Sequence, residues 1–496
     1  MTTISLSLIS HTNVGKTTLA RTLLRADVGE IRDAAHVTET SARYTLIETT
    51  ERDSLELWDT PGFGDSARLL RRLEQSGRAL GWFLSEVWDR YTDRPFFSSQ
   101  QAIRNVQQEA DVVLYLVNAS EDPATAGYVD AEMRLLGWIG KPVLVLLNQL
   151  GPPRPAGVER AEVERWAGHL AAYDCVRDTL AFDAFARCWV QEHVLLDRIQ
   201  SVLPAASQEG FGRLAAAWRD RNQQVFRSSM EVLARQLLET AGDRVDVPVR
   251  GIGDTARDWF GSVLTGKERV DPAYERAMAE LASRLDGSLR RAMDELIALH
   301  GLTGRSAQEI FDRMGSEFAV TEGLDPGKAS LLGAAVSGAL GGLAADIAAG
   351  GLTFGAGALI GGMLGLAGAR GIARAYNLSR GTDASMIRWS GEFLSNRATA
   401  AVMRYLAVAH FGRGRGDFVE GEYPAHWREL VQGEVASRGQ RLARVWSAAE
   451  QADRADRTVA LRSDLEALLS EIISGVLAQL YPDSIRPRVA SPDEPR

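Results

Sequence analysis

Ser10-His11-Thr12-Asn13-Val14-Gly15-Lys16-Thr17 is the stretch that decides the fold. Before it runs Ile4-Ser5-Leu6-Ser7-Leu8-Ile9, an apolar strand pattern. After it, Thr18-Leu19-Ala20-Arg21-Thr22-Leu23-Leu24 has helical periodicity. Strand, tight loop, Gly-Lys-Thr and helix is the order a phosphate-binding loop needs. Backbone N–H groups and the helix N-terminus would wrap a polyphosphate, Lys16 would neutralise its outer phosphates, and Thr17 would place a hydroxyl on Mg²⁺. Ser10 stands where such loops usually carry their first glycine. A chance Gly-Lys-Thr in a surface loop is the competing reading.

A second motif narrows the choice. Ser54-Leu55-Glu56-Leu57-Trp58 reads as a strand, and Asp59-Thr60-Pro61-Gly62 follows it. A carboxylate at that strand end can hold Mg²⁺ through water, and the Gly62 N–H can meet a γ-phosphate. An ordinary Asp-Thr-Pro-Gly turn is the alternative. Asp111-Val112-Val113-Leu114-Tyr115-Leu116-Val117 and Pro142-Val143-Leu144-Val145-Leu146-Leu147 read as two further strands, buried and parallel.

On these motifs the chain resembles the translation-factor-related P-loop GTPases, most closely their Era/TrmE-like bacterial branch. Asn13-Val14-Gly15-Lys16-Thr17 and Asp59-Thr60-Pro61-Gly62-Phe63 carry the resemblance, over roughly the first two hundred residues. It implies an α/β fold: a P-loop GTPase domain, mostly parallel sheet with helices on both faces, before a mostly α-helical C-terminal region. It implies GTP and GDP as ligands, GTP hydrolysis as the activity, and Mg²⁺ held by Thr17, Thr38 and Asp59. The phosphate-binding set is then Asn13, Val14, Gly15, Lys16, Thr17 and Thr18. Asn13 is also a candidate to help bind K⁺ or to brace the loop. The first switch falls at Asp33–Thr40, with Thr38 sensing the γ-phosphate and Thr40 as runner-up. The second begins at Gly62-Phe63-Gly64-Asp65.

Two departures bear on activity. Phe63 stands where many GTPases carry a water-orienting Gln. Catalysis would then rest on Lys16, Thr38, Gly62 and a nearby polar group such as Asp65, on a cation, or on a partner. Slow hydrolysis follows, completed by a homodimer or an activating protein. The base-reading motif of the family, Asn-Lys-x-Asp, is here Asn148-Gln149-Leu150-Gly151. Asn148 is kept, but the carboxylate that reads guanine is missing, and a site without it loses its discrimination. Asp183 and Ala184 lie where the last base-contacting loop should be. Asp183 either substitutes for the missing carboxylate or caps a backbone group.

Composition sets the bounds. The 496 residues, 45% apolar and 24% charged, suit two or three folded domains. A net charge of −9 offers no basic field for nucleic acid. Cys175 and Cys188 have neither metal-ligand spacing nor a disulfide framework, which suits a cytoplasmic chain. Met1-Thr2-Thr3-Ile4 is not a secretory signal. The expected division is a GTPase domain over 1–204 with a helical insertion near 66–108, helical regions over 205–327 and 376–485, a hydrophobic hairpin over 328–375, and a polar tail over 486–496. The insertion carries Trp82, Phe83, Trp88, Tyr91, Phe96 and Phe97, read as a lid or a core edge.

Residues 329–369 are mostly Gly, Ala and Leu, and Asp346 is the one charge among them. Gly350-Gly351 divides them into halves of about 20 residues, near the length that spans a hydrocarbon core. Small residues recur every fourth position at Ala334, Gly338 and Gly342, and at Gly357, Gly361, Gly365 and Ala369. Lys328 precedes the segment, and Arg370, Arg374 and Arg380 follow it. A hairpin entering the bacterial inner membrane from the cytoplasm fits, with membrane lipid as a partner, and so does a soluble hairpin buried among helices. The functional readings are a membrane-associated GTPase switch, a nucleotide-binding scaffold with little turnover, and, on architecture alone, a dynamin-like membrane-remodelling GTPase.

Overall fold

The computed structural model describes residues 1–25, 41–76, 94–150, 154–184, 188–248, 272–302, 376–380, 384–411, 425–451 and 455–482. Thr38 and Thr40, the aromatics from Trp82 to Tyr91, the 328–375 segment and the tail lie outside the described residues. The chain falls into two compact units. One holds the described residues of Met1–Gln224, Ala409–Pro424 and Leu477–Arg496, the other those of Val225–Val408 and Ala425–Val476.

The first unit is built on a six-stranded sheet, β1 (Thr3–Ser10), β2 (Ala42–Glu48), β3 (Ser54–Asp59), β4 (Val112–Asn118), β5 (Val143–Asn148) and β6 (Val176–Ala181). The strand order is β2-β3-β1-β4-β5-β6. Only the β2–β3 pair is antiparallel, and the other pairings are parallel. Parallel strands need both faces covered, so their inner members read as unbroken apolar runs. All six residues of β5 are buried.

Helices α1 (Lys16–Leu24), α2 (Ser66–Ser76), α3 (Arg94–Glu109), α4 (Tyr128–Ile139), α5 (Ala156–Leu170), α6 (Trp189–Val202) and α7 (Ala205–Gly242) supply the cover. On one face Leu69, Phe96, Ile103, Met133, Leu136 and Trp166 pack against Ile9, Tyr115 and Val145. On the other, Leu19, Leu23, Ile199, Phe211 and Trp218 pack against Leu6, Leu57 and Leu146. Phe96 is a core residue, with the Arg68 and Arg72 guanidinium groups 5.2 and 5.5 Å from its ring centre. Strand β1 lies between β3 and β4, so the chain leaves it in both directions. In open α/β sheets ligands bind at such a reversal point, beyond the carboxyl ends of the strands.

The sequence reading expects a mostly α-helical C-terminal region, and the second unit is mostly helical. α8 (Pro272–Leu299), α10 (Ala425–Ser437), α11 (Gly439–Glu450) and most of α9 (Gly391–Ala409) and α12 (Ala455–Leu480) belong there, and the compact units divide inside α7 and near the C-terminal ends of α9 and α12. The structure adds a small antiparallel sheet, β7 (Arg244–Pro248), β8 (Tyr376–Arg380) and β9 (Ala384–Trp389), in the order β7-β9-β8. Its signal is faint but physical: Ile387 and Trp389 are buried at alternate positions of β9. Trp389 stacks on Phe393 with 4.2 Å between ring centres, and the Ser390 hydroxyl caps α9 through Phe393 N at 3.1 Å. Among the described residues no helix is long and apolar enough to cross a membrane.

Candidate nucleotide site

The loop from Ser10 to Lys16 turns on two left-handed residues, Asn13 (φ 64°) and Gly15 (φ 97°). Gly15 is required twice over, since a Cβ there would also stand 2.7 Å from Asn148 Nδ2. The turn delivers the chain into α1 with Lys16 as its first residue. Lys16 Nζ donates to Ser10 Oγ at 2.9 Å, so the serine in the first-glycine position gives the buried ammonium an acceptor. Burial lowers the Lys16 pKa to about 8, against the pull of the Asp59 and Glu132 charges.

Asp59 ends β3 on the far side of the site. Its Oδ2 accepts the Thr17 hydroxyl at 2.7 Å. Its Oδ1 is buried and has no hydrogen-bond partner among the described residues. Burial raises its pKa, while the Thr17 bond and the nearby Lys16 charge oppose that. A buried carboxylate oxygen left open beside a hydroxyl is a poor resting state for a protein and a good donor pair for a hard divalent cation. Thr17 and Asp59 therefore fit Mg²⁺. Bound there, the ion would neutralise phosphate charge.

Gly62 closes the space beside the lysine. A side chain on it would meet Lys16 Nζ at 2.9 Å and Thr12 Cα at 3.1 Å. Phe63 N–H donates to the Ser10 carbonyl at 2.9 Å, and the Phe63 ring is buried in the core. Asp65 Oδ1 accepts Arg68 N–H at 3.1 Å, capping α2. Ser99 Oγ on α3 accepts Gly64 N–H at 3.0 Å and Asp65 N–H at 3.2 Å.

On the base side, Asn148 does the joining. Its Nδ2 donates to the Val14 carbonyl at 2.6 Å and its Oδ1 accepts Ala184 N–H at 2.8 Å. Asp183 is buried and its Oδ2 accepts Leu150 N–H at 2.7 Å. One Asp183 oxygen thus serves the turn after β5. Gln149, in a left-handed turn conformation (φ 58°), points its Nε2 at the Asn13 carbonyl 3.5 Å away. Thr18 is buried on α1, where its carbonyl accepts the Thr22 hydroxyl at 2.9 Å. The structure thus gathers Asn13, Val14, Gly15, Lys16, Thr17, Asp59 and Gly62 at one end of the sheet, with Asn148, Asp183 and Ala184 beside them. Sequence reasoning missed His11, Ser99 and Glu132. An acid inside the apolar face formed by Val129, Met133 and Leu136 is the signal that marks Glu132.

The fold and this site define a P-loop GTPase domain. A family model described as 50S ribosome-binding GTPase matches residues 5–149. Over residues 176–470, more than half of its length, the chain matches the domain of unknown function DUF3482, and it belongs to that family. Two solved structures of Era are similar at low level. Era in complex with MgGDPNP and nucleotides of 16S ribosomal RNA is 17% identical, covering 61% of this chain and 90% of that one, with TM-score 0.31. A variant of Aquifex aeolicus Era bound to GDP and AlF4⁻ is 16% identical, covering 62% and 96%, with TM-score 0.31. At that likeness they carry no argument about function. No curated protein matches the chain. The DUF3482 match begins with β6, so the family's own residues supply the last strand of the GTPase sheet and the Asp183–Ala184 turn.

Proposed function

We propose that this protein is a GTP-binding switch that hydrolyses GTP slowly and works at the bacterial inner membrane. The observation that carries the nucleotide part is the Thr17–Asp59 pair with its open Oδ1, next to Lys16 and Gly62. Slow turnover is supported by Phe63. Its ring is packed in the core and its N–H is bound to Ser10, so nothing on that residue can orient an attacking water. Thr38 in the first switch, Asp65, K⁺ held with the help of Asn13, or a second subunit would complete the reaction. Membrane association is supported by the composition of 329–369 and its basic flanks.

A second reading, a nucleotide-binding scaffold with relaxed base choice, is favoured by Asp183. One of its carboxylate oxygens already accepts the Leu150 N–H. Titration of GTP, ATP and their diphosphates with Mg²⁺, in K⁺ and then Na⁺, separates the two. GTP-selective binding with measurable turnover supports the switch. Equal binding of both purines without turnover supports the scaffold. Flotation with liposomes in each nucleotide state tests the membrane part, and identical absence of binding in all states removes it.

A further inference from the structure

Helix α7 is one unbroken helix of 38 residues, and the compact units divide within it, after Gln224. Its first half lies on the sheet face that also carries α1. There Phe211, Leu214, Ala215 and Trp218 share a cluster with Leu19 and Leu23 of α1 and Leu46 of β2. Helix α2, which follows the start of the second switch, contributes Leu69, Leu70 and Leu73 to the cluster on the opposite face.

Hydrogen bonds attach this half of α7 to both ends of one segment. Arg25, directly after α1, donates through Nη2 to Asn222 Oδ1. Asn222 is buried, and its Nδ2 donates to Glu192 Oε2 at 2.9 Å, so its amide oxygen is fixed toward Arg25. Trp218 Nε1 donates to the same Glu192 oxygen at 2.5 Å. At the other end, Arg221 Nη1 donates to the Leu46 carbonyl of β2 at 3.4 Å. Arg213 Nε donates to Asp53 Oδ2, in the β2–β3 turn, at 2.7 Å. Between Arg25 and β2 runs the stretch in which the first switch is expected, Asp33–Thr40.

Arg25 is an uncommon residue for its place. Its backbone is left-handed (φ 55°) at the end of α1, where glycine or asparagine is the usual choice. An arginine kept there against its backbone preference is kept for its side chain, and that side chain reaches α7. Burying an amide and a carboxylate on α7 and α6 also obliges each to find partners. Apolar residues would pack the helices without that requirement. What the polar set adds is a directed attachment to one residue. The second half of α7 is attached in a like manner within its own unit. Gln236 Nε2 donates to Ser288 Oγ of α8 at 3.4 Å, Arg235 pairs with Glu295, and Arg291 lies 3.8 Å from Glu239.

We infer, resting on the GTP-switch reading, that α7 couples the first switch to α8, with Arg25 and Asn222 as the contact through which it does so. A segment that rearranges with the γ-phosphate pulls on the residues at its two ends, and α7 holds both. A continuous helix passes a shift of its near half to its far half, where α8 is bound.

The test is hydrogen exchange of α8 in the full chain, with Mg²⁺ and either GDP or a non-hydrolysable GTP analogue. Exchange in the wild type should differ between the two nucleotides by about fivefold or more, the lower end of common coupling between sites. Arg25→Asn suits the left-handed backbone and removes the guanidinium, and Asn222→Ala removes its acceptor. Each should reduce the difference to about twofold or less while GDP affinity stays within about threefold. Gln223→Gly with Gln224→Gly softens α7 at two exposed positions where the units divide, and should do the same. Arg219→Ala removes a pair between α7 and Asp197 of α6 that touches neither end of the first switch, and should keep the wild-type difference. Should Asn222→Ala fail to fold, Arg25→Asn and the glycine pair decide. Equal exchange with both nucleotides in a wild type that binds them, or a wild-type difference in Arg25→Asn or in the glycine pair, overturns the coupling and leaves the GTPase reading intact. A wild type that binds no nucleotide overturns both.

Discussion

Thr17 and Asp59 hold each other across the nucleotide site at 2.7 Å, and the contact consumes one oxygen of the carboxylate while the other stays buried and open. A hydroxyl–carboxylate pair of this kind waits for a cation. Thr17→Ala should therefore uncouple nucleotide binding from Mg²⁺. We expect the tightening of GDP binding by Mg²⁺ in the wild type to shrink about 10- to 100-fold in the variant, the range seen when a metal site loses a supporting group. Titration with Mg²⁺ and with a chelator reads it directly.

Lys16 ties stability and affinity to pH with opposite signs. Its pKa in the folded, empty site is about 8, against an ordinary 10.5. Between those values the folded chain binds fewer protons than the unfolded one, so stability of the empty protein rises with pH across that window and the penalty is fully present below it. Phosphate favours the charged ammonium. Nucleotide binding should then take up a proton, and affinity should fall by up to about tenfold per pH unit above about pH 8. Lys16→Met should melt higher than the wild type when empty and bind no nucleotide. A melting series and a binding series over the same pH range check both halves.

Phe63→Gln restores the residue type that sequence comparison finds missing, and it should restore no activity. The ring is packed in the core against the α2 and α3 side chains rather than aimed at the phosphates. A polar side chain there should cost about 3 kcal/mol or more of stability. Thermal melting and single-turnover hydrolysis together decide the point. A stable variant with faster hydrolysis would show the side chain reaching the site.

Asn148→Ala removes two hydrogen bonds at once and leaves the Val14 carbonyl and the Ala184 N–H without their partner. Each orphaned buried group costs about 1–3 kcal/mol, so the variant should lose stability visibly and nucleotide affinity with it. Gly15→Ala should do the same by a different route, through a left-handed backbone and a Cβ 2.7 Å from Asn148 Nδ2. A Gly15→Ala protein with wild-type melting and binding would contradict this geometry.

What could be read from the sequence was what is local. Strand β1, the Gly15-Lys16-Thr17 turn and the Asp59–Gly62 turn are each written in a few consecutive residues with strong backbone requirements, and they fixed the fold and half of the site. The helices of the second unit were legible from apolar spacing, as in α8 and α12. The strands β7, β8 and β9 were not, because five or six residues carry too little alternation to stand out between long helices. The His11–Glu132 contact was hidden for another reason. Its two members are far apart in the chain, and only Glu132, an acid inside an apolar helix face, carries a signal of its own. Asp65 reads from the sequence as a polar group beside the second switch, and the local pattern did not show that its Oδ1 also caps α2.

The origin of β6 bears on how the protein can be taken apart. A fragment ending before residue 176, at the conventional edge of the catalytic half, would uncover β5, a strand whose every residue is buried and apolar except Asn148. Bare backbone along such a strand is a template for sheet-to-sheet aggregation. The fragment would also lack Ala184, leaving one end of Asn148 unpartnered. Insolubility of an isolated head would therefore reflect where it was cut, and the shortest piece worth expressing must carry the opening of the uncharacterised region with it.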